Sequence, residues 1–177
     1  MDAISLLREQ LKEAHALLEA VMEGVTTEAA HWIPPGQANP VGATYAHVVL
    51  FEDMTINGAL RHRKPLYETT WAGKVGMNEL MPRQGKEWED YADWTRRVRV
   101  DLPSVREYAR AVYANSDEYL ASLTSEDLDT PIDLAGVGGS KVTLGHVLSR
   151  SVVAHVDNIA GEISCLKGLQ GLQGYPF

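Results

Sequence analysis

The stretch that most constrains the fold is Thr143 to Leu166, TLGHVLSRSVVAHVDNIAGEISCL. Leu148, Val152, His155, Ile159, Ile163 and Leu166 recur three or four residues apart. At about 100° per residue they share one face of a helix. Such a helix must bury its stripe against other helices, and an imidazole then goes inward with the aliphatic side chains. The Thr143 hydroxyl can accept from an orphan amide of the first turn, and Lys167 followed by Gly168 supplies a stop signal.

Three more segments repeat the pattern. From Asp2 to Glu23, the residues Ile4, Leu7, Leu11, Ala14, Leu18 and Val21 alternate spacings of three and four, with Asp2 and Gly24 marking the ends. The segment from Ala43 to Arg61 carries His47, Phe51, Met54 and Gly58 on its expected inward stripe, placing a second histidine there. Val105, Ala109, Val112, Ser116, Tyr119 and Leu123 mark a stripe from Pro103 to Leu123. Between the first two segments, Pro34 and Pro35 stop the short turn begun at Thr26. Residues 62–86 form a long connection with one helical turn expected at Met77 to Leu80. Its Tyr67 and Trp71 can either roof a pocket or pin the loop to the bundle. Glu87 to Val100 has helical character, Thr124 to Asp127 reads as a capped single turn, and Thr130 to Leu134 as extended. Gly136, Gly138 and Gly139 imply a flexible loop before the last helix. With almost no strand signal, the fold class is all-α, a four-helix bundle with a long connection between its second and third main helices.

Length sets the domain count, since 177 residues suit a single core, 1–177, with 168–177 as a tail. The tail either lies along the bundle or reaches a second subunit as a homodimer contact. A formal net charge of −8 excludes nucleic acid as the main partner, because phosphate binding needs a basic footprint. Arg61 to Lys64 and Arg96 to Arg99 are read as solvated helix ends. No apolar run approaches the roughly 20 residues of a membrane span, and MDAISLLREQL lacks a signal-peptide layout. These features give a cytoplasmic expectation and no membrane partner. The lone Cys165 has no internal disulfide partner and reads as a small core or interface residue.

The chemistry rests on His47 and His155, one on each of two facing helices. Bundles build sites from inward side chains, and imidazole suits zinc-like and nickel-like ions. Two ligands of one such ion require ring nitrogens about 3 Å to 4 Å apart. Each histidine also has a plainer reading as a hydrogen-bonded core residue. His146 is expected at the surface, His15, His31 and His62 have no spaced partner, and Glu162 lies about 10 Å beyond His155 along the axis.

The Trp-Ile-Pro run after the entry helix, His47 early in the second helix and Ala-His-Val-Asp-Asn-Ile-Ala-Gly-Glu-Ile-Ser in the last resemble the DinB-like superfamily over nearly the whole chain. That resemblance implies a four-helix bundle holding a divalent metal with three histidines, one from the second helix and two, four residues apart, from the last. His47 and His155 match two of these positions, and Ser151 stands at the third. Serine is a poor ligand beside imidazole, thiolate or carboxylate. The resemblance implies zinc or nickel, a low-molecular-weight thiol as cofactor, and transferase, isomerase or hydrolase chemistry on a small molecule. With Ser151, the site is either two histidines completed by water or by Glu52 or Asp53, a weak site, or no metal site. Three functions follow: a metal-dependent transferase or hydrolase, a catalytically degenerate binding or scaffold protein, and a structural dimer built on the apolar tail.

Overall fold

The computed structural model describes residues 1–82, 88–133 and 141–177. Four long helical segments form a closed ring. They are α1 (Ala3–Val21), α3 (Val41–Asp53), α5 (Leu102–Ala121) and α7 (Ala154–Leu169), with the short α2 (Thr27–His31), α4 (Trp88–Arg97) and α6 (Leu144–His146) attached. In the ring α1 and α3 are diagonal, and each packs on both α5 and α7. Among the described residues the β-structure is a two-stranded antiparallel sheet, β1 (Pro131–Asp133) and β2 (Lys141–Thr143), pairing Ile132 with Val142, and one isolated bridge, Met77 with Val100. The expected onset of a helix at Glu87, the extension to Leu134 and the loop with Gly136, Gly138 and Gly139 lie outside the described residues.

The stripes on α1 and α5 are inward as their spacing requires: Ile4, Leu7, Leu11, Ala14, Leu18 and Val21 are buried, as are Val105, Ala109, Val112 and Ser116. Asp2 caps α1 by accepting from the Ser5 amide, and Asp101 caps α5 through the Ser104 amide. The middle rod differs. On α3 the most buried side chains are Tyr45, Ala46 and Asp53, followed by Val41, Val48 and Val49, whereas the expected stripe of His47, Phe51, Met54 and Gly58 is half-buried. A helix enclosed on most of its circumference has no single apolar stripe to read, and its partly open side is where polar function fits.

Two helices change gauge. Val41–Asp53 continues as a π-helical stretch, Met54–Leu60, and α6 runs into α7 through another, Val147–Val153. The wider i→i+5 bonding alters which residues stack over one another, and such turns concentrate at functional sites.

The connection after α3 is held by Asp53. Its buried carboxylate accepts from Asn57, Tyr108 and the backbone amides of Leu66 and Tyr67, at 2.6 Å to 3.1 Å. Tyr67 and Trp71 pack on the core, Trp71 with its ring 5.8 Å from that of Tyr108, which pins the loop. No helix forms at Met77 to Leu80; Asn78 pairs with Arg99 through backbone and side chain instead. Gly76 lets the connection approach the start of α5, where its carbonyl accepts from the Asp101 amide at 2.8 Å, since it has φ 73° and an added Cβ would stand 2.6 Å from the Val105 nitrogen.

Several local expectations are corrected. Gly168 lies inside α7, and Gly171, with φ 75°, is the left-handed residue beyond its end. Cys165 is exposed and therefore not a core residue. Arg61 is not merely a solvated end, because its guanidinium bonds Asn115 at 2.9 Å and lies over the Tyr119 ring. Arg99 caps the end of α4 through the carbonyls of Arg96, Arg97 and Val98. The tail folds back along α7, where a Cβ on Gly174 would meet Ser164 at 2.6 Å, while Leu169, Leu172, Tyr175 and Phe177 remain exposed. Among the described residues no helix is long and apolar enough to cross a membrane.

Candidate functional site

His47 lies in the second turn of α3 and His155 in the first turn of α7, rods that pack directly on each other. The two rings meet. Their Nε2 atoms are 3.3 Å apart and the ring planes are nearly perpendicular, at 88°. Both side chains are half-buried.

Three neighbours fix this geometry. Phe51, one turn after His47, presents its ring to His155 at 4.5 Å between centroids in an edge-on arrangement. Tyr91 of α4 meets the His47 ring edge-on at 5.4 Å. Met81, from the long connection, places its Sδ 3.1 Å from His47 Nδ1. A thioether accepts but cannot donate, so this contact holds the proton on Nδ1 and leaves the Nε2 lone pair facing His155. The connection therefore covers the site with Met81, while Tyr67 and Trp71 serve to anchor it.

Burial penalises the charged form of both rings. It is the larger cause for His47, whose pKa is lowered to about 4, with the charge of His155 adding to the effect. His155 is also lowered by burial, and the negative charge of Glu52 works in the opposite direction. Both imidazoles are thus neutral near pH 7, the protonation state a metal ligand requires.

The donor set fits a cation in part. Two nitrogens each about 2.0–2.1 Å from a tetrahedral ion stand roughly 3.3–3.4 Å apart, and the observed separation is 3.3 Å. No group of three His, Cys, Asp or Glu side chains suited to a metal occurs among the described residues. Ser151 is half-buried and lies in the π-helical stretch Val147–Val153, where four residues no longer complete a turn. The suggested carboxylates are engaged elsewhere: Asp53 holds the connection, and Glu52 accepts from Ser116 at 2.6 Å and faces His15 Nε2 at 2.8 Å.

The remaining histidines separate cleanly. His146 and His62 are exposed. His31 and His15, which have no partner by sequence spacing, find hydrogen-bond partners from distant parts of the chain: His31 Nε2 accepts from the Val100 amide, and His15 is buried against Glu52. Glu162 is exposed on the far part of α7, where its charge helps push the Tyr91 hydroxyl upward after the larger effect of burial. Sequence reasoning missed Met81, Tyr91 and the His15 pair. For His15 a signal existed, since Leu11, His15 and Leu18 are themselves spaced four and three.

Fold and site together define a four-helix bundle that brings imidazoles from two facing helices into contact in its interior. The family model of the DinB superfamily matches residues 10–155. The chain belongs to the DinB superfamily. It is also similar to a solved structure, the conserved protein of locus from Enterococcus faecalis, at 24% identity with a TM-score of 0.76, covering 96% of this chain and 97% of that one. At this identity the likeness speaks to the fold. No curated protein matches the chain.

Proposed function

We propose that this protein holds a divalent cation, zinc or nickel, between His47 and His155 and uses it to act on a small molecule, as a low-molecular-weight thiol S-transferase or a hydrolase. The observation that carries this reading is the 3.3 Å separation of the two Nε2 atoms. When bound, such an ion supplies Lewis acidity that lowers the pKa of a thiol or water toward neutrality. The chain supplies the rest. Burial keeps both rings uncharged, the Met81 thioether fixes the His47 tautomer, and Phe51 holds the His155 plane so that its Nε2 points inward. Met81 and Tyr91 cover the His47 side and limit the water that would otherwise compete with a small electrophile. The remaining coordination positions belong to substrate or solvent, because no third ligand is available among the described residues.

That same lack favours a second reading, a DinB-like binding or scaffold protein that has lost catalysis, with Ser151 as the mark of the loss. One experiment separates the two. The protein loaded with zinc or nickel is assayed with cysteine or glutathione and a generic electrophile, and separately with an activated ester. Turnover that disappears in His155→Ala supports the enzyme. A metal-loaded protein without turnover on either substrate class supports the binding protein.

A further inference from the structure

A second imidazole opens on a different face of the bundle. His15, on α1, is 8% exposed and stacks on the Tyr113 ring of α5 at 3.7 Å. Its Nε2 faces Glu52 Oε2 at 2.8 Å, and the other oxygen of Glu52 accepts from Ser116 at 2.6 Å. A carboxylate can only accept, so Nε2 carries the hydrogen, and in the neutral ring Nδ1 keeps a lone pair. That Nδ1 has no hydrogen bond to a described residue, and it is not among the fully buried atoms left without a partner. His15 and Tyr113 line a groove between α1 and α5 of about 620 Å³. The Tyr113 hydroxyl donates to Glu19 at 2.9 Å and so does not compete for Nδ1.

The rim supplies charge. Arg8 is taken up by both oxygens of Asp117, at 2.7 Å and 2.9 Å. Lys12 lines the same groove, where Glu9 and Asp117 also lie; it makes no salt bridge among the described residues, and its charge acts weakly on Asp117 after the larger effect of Arg8. It precedes His15 by three positions, so their Cβ atoms are roughly 5–6 Å apart on one helix face.

We propose that this groove is a second small-molecule site, for an organic anion that also carries an O–H or N–H donor: the donor meets His15 Nδ1, the anionic group meets Lys12, and a planar body lies between. A volume of this size lies within the range of about 300–1,000 Å³ usual for small-molecule pockets. The groove residues that meet the ligand are distinct from His47 and His155, while Glu52, which orients His15, also acts electrostatically on His155.

The probes are 4-hydroxybenzoate, benzoate (anion without the donor) and phenol (donor without the anion), each titrated at pH 8 while the imidazole nitrogens are followed by NMR. The site predicts a saturable shift of His15 Nδ1, with 4-hydroxybenzoate binding about tenfold more tightly than either control, the worth of one hydrogen bond or one charge contact. Lys12→Met, at a solvent-facing position that leaves the fold intact, weakens 4-hydroxybenzoate to about the affinity of phenol. Equal affinities for the three probes, an undiminished response in Lys12→Met, or shifts confined to His47 and His155 would each overturn the proposal.

Discussion

His15 and the His47–His155 pair sit inside the same bundle, both beside α3, and their surroundings treat the imidazole in opposite ways. His15 meets a carboxylate, Glu52, whose second oxygen is held by Ser116. His47 meets another imidazole and a thioether, with aromatic edges around them and no described carboxylate in hydrogen-bonding contact. The first arrangement gives both oxygens of Glu52 a donor and ties three helices, α1, α3 and α5. The second is incomplete, because two neutral rings facing each other through Nε2 share at most one hydrogen. A buried carboxylate fixes one nitrogen of His15 as a structural donor and leaves only its Nδ1 toward the groove, whereas without a carboxylate the two Nε2 atoms of His47 and His155 face each other with a lone pair between them.

The largest effect that sharpens this contrast is expected at Glu52. Glu52→Ala removes the acceptor for both His15 and Ser116 and leaves two buried donors unmatched, a loss on the order of 3–5 kcal/mol. Urea unfolding measures it. A loss below about 1 kcal/mol would mean that the His15 pair is not a structural tie.

Acid acts next, and on the other region. His47 has a folded-state pKa depressed to about 4 from 6.5, so the unfolded chain binds more protons between those values. Its contribution is full above pH 6.5 and is lost as the pH falls through 4, on the order of 3 kcal/mol. His155, lowered in the same direction, adds to the slope. A stability profile of His47→Phe should be flatter across this window than that of the wild type, and an unchanged slope would place the acid sensitivity elsewhere.

Replacing His155 tests ligation without a large cost to the fold. His155→Phe keeps an aromatic ring against Phe51 and should shift stability by about 1 kcal/mol or less, while zinc affinity measured by calorimetry drops at least about tenfold. The smallest change is expected for Ser151→His. In a regular helix this would complete a pair four residues apart, but position 151 lies in the π-helical stretch, so zinc affinity should rise less than about tenfold. A larger gain would show that the segment reverts to α-helical gauge when a third imidazole is offered.

Much of the bundle was legible because α1 and α5 bury one face each, and a one-faced helix records its stripe in the spacing of Leu, Val and Ala. α3 was harder to read, since it is enclosed on most sides and its His47–Phe51 stripe marks the half-buried side instead. The meeting of His47 with His155 was legible from one histidine on a stripe of each of two facing helices, although the α3 stripe lies on that helix's half-buried side. The coverage by Met81 was not, because it comes from a connection without periodicity whose path is set by Asp53 accepting from the Leu66 and Tyr67 amides. Nor does any spacing rule announce π-helical bonding, so the reason that Ser151 is not simply one turn below His155 appears only in three dimensions.

The proposed chemistry depends most directly on a cation lying between the two rings. Crystals equilibrated with zinc at pH 7.5 and measured at the zinc absorption edge provide the test. One anomalous peak is expected inside the bundle, about 2 Å from Nε2 of both His47 and His155. Empty density there, with zinc bound only at surface residues such as His146 or His62, would contradict it.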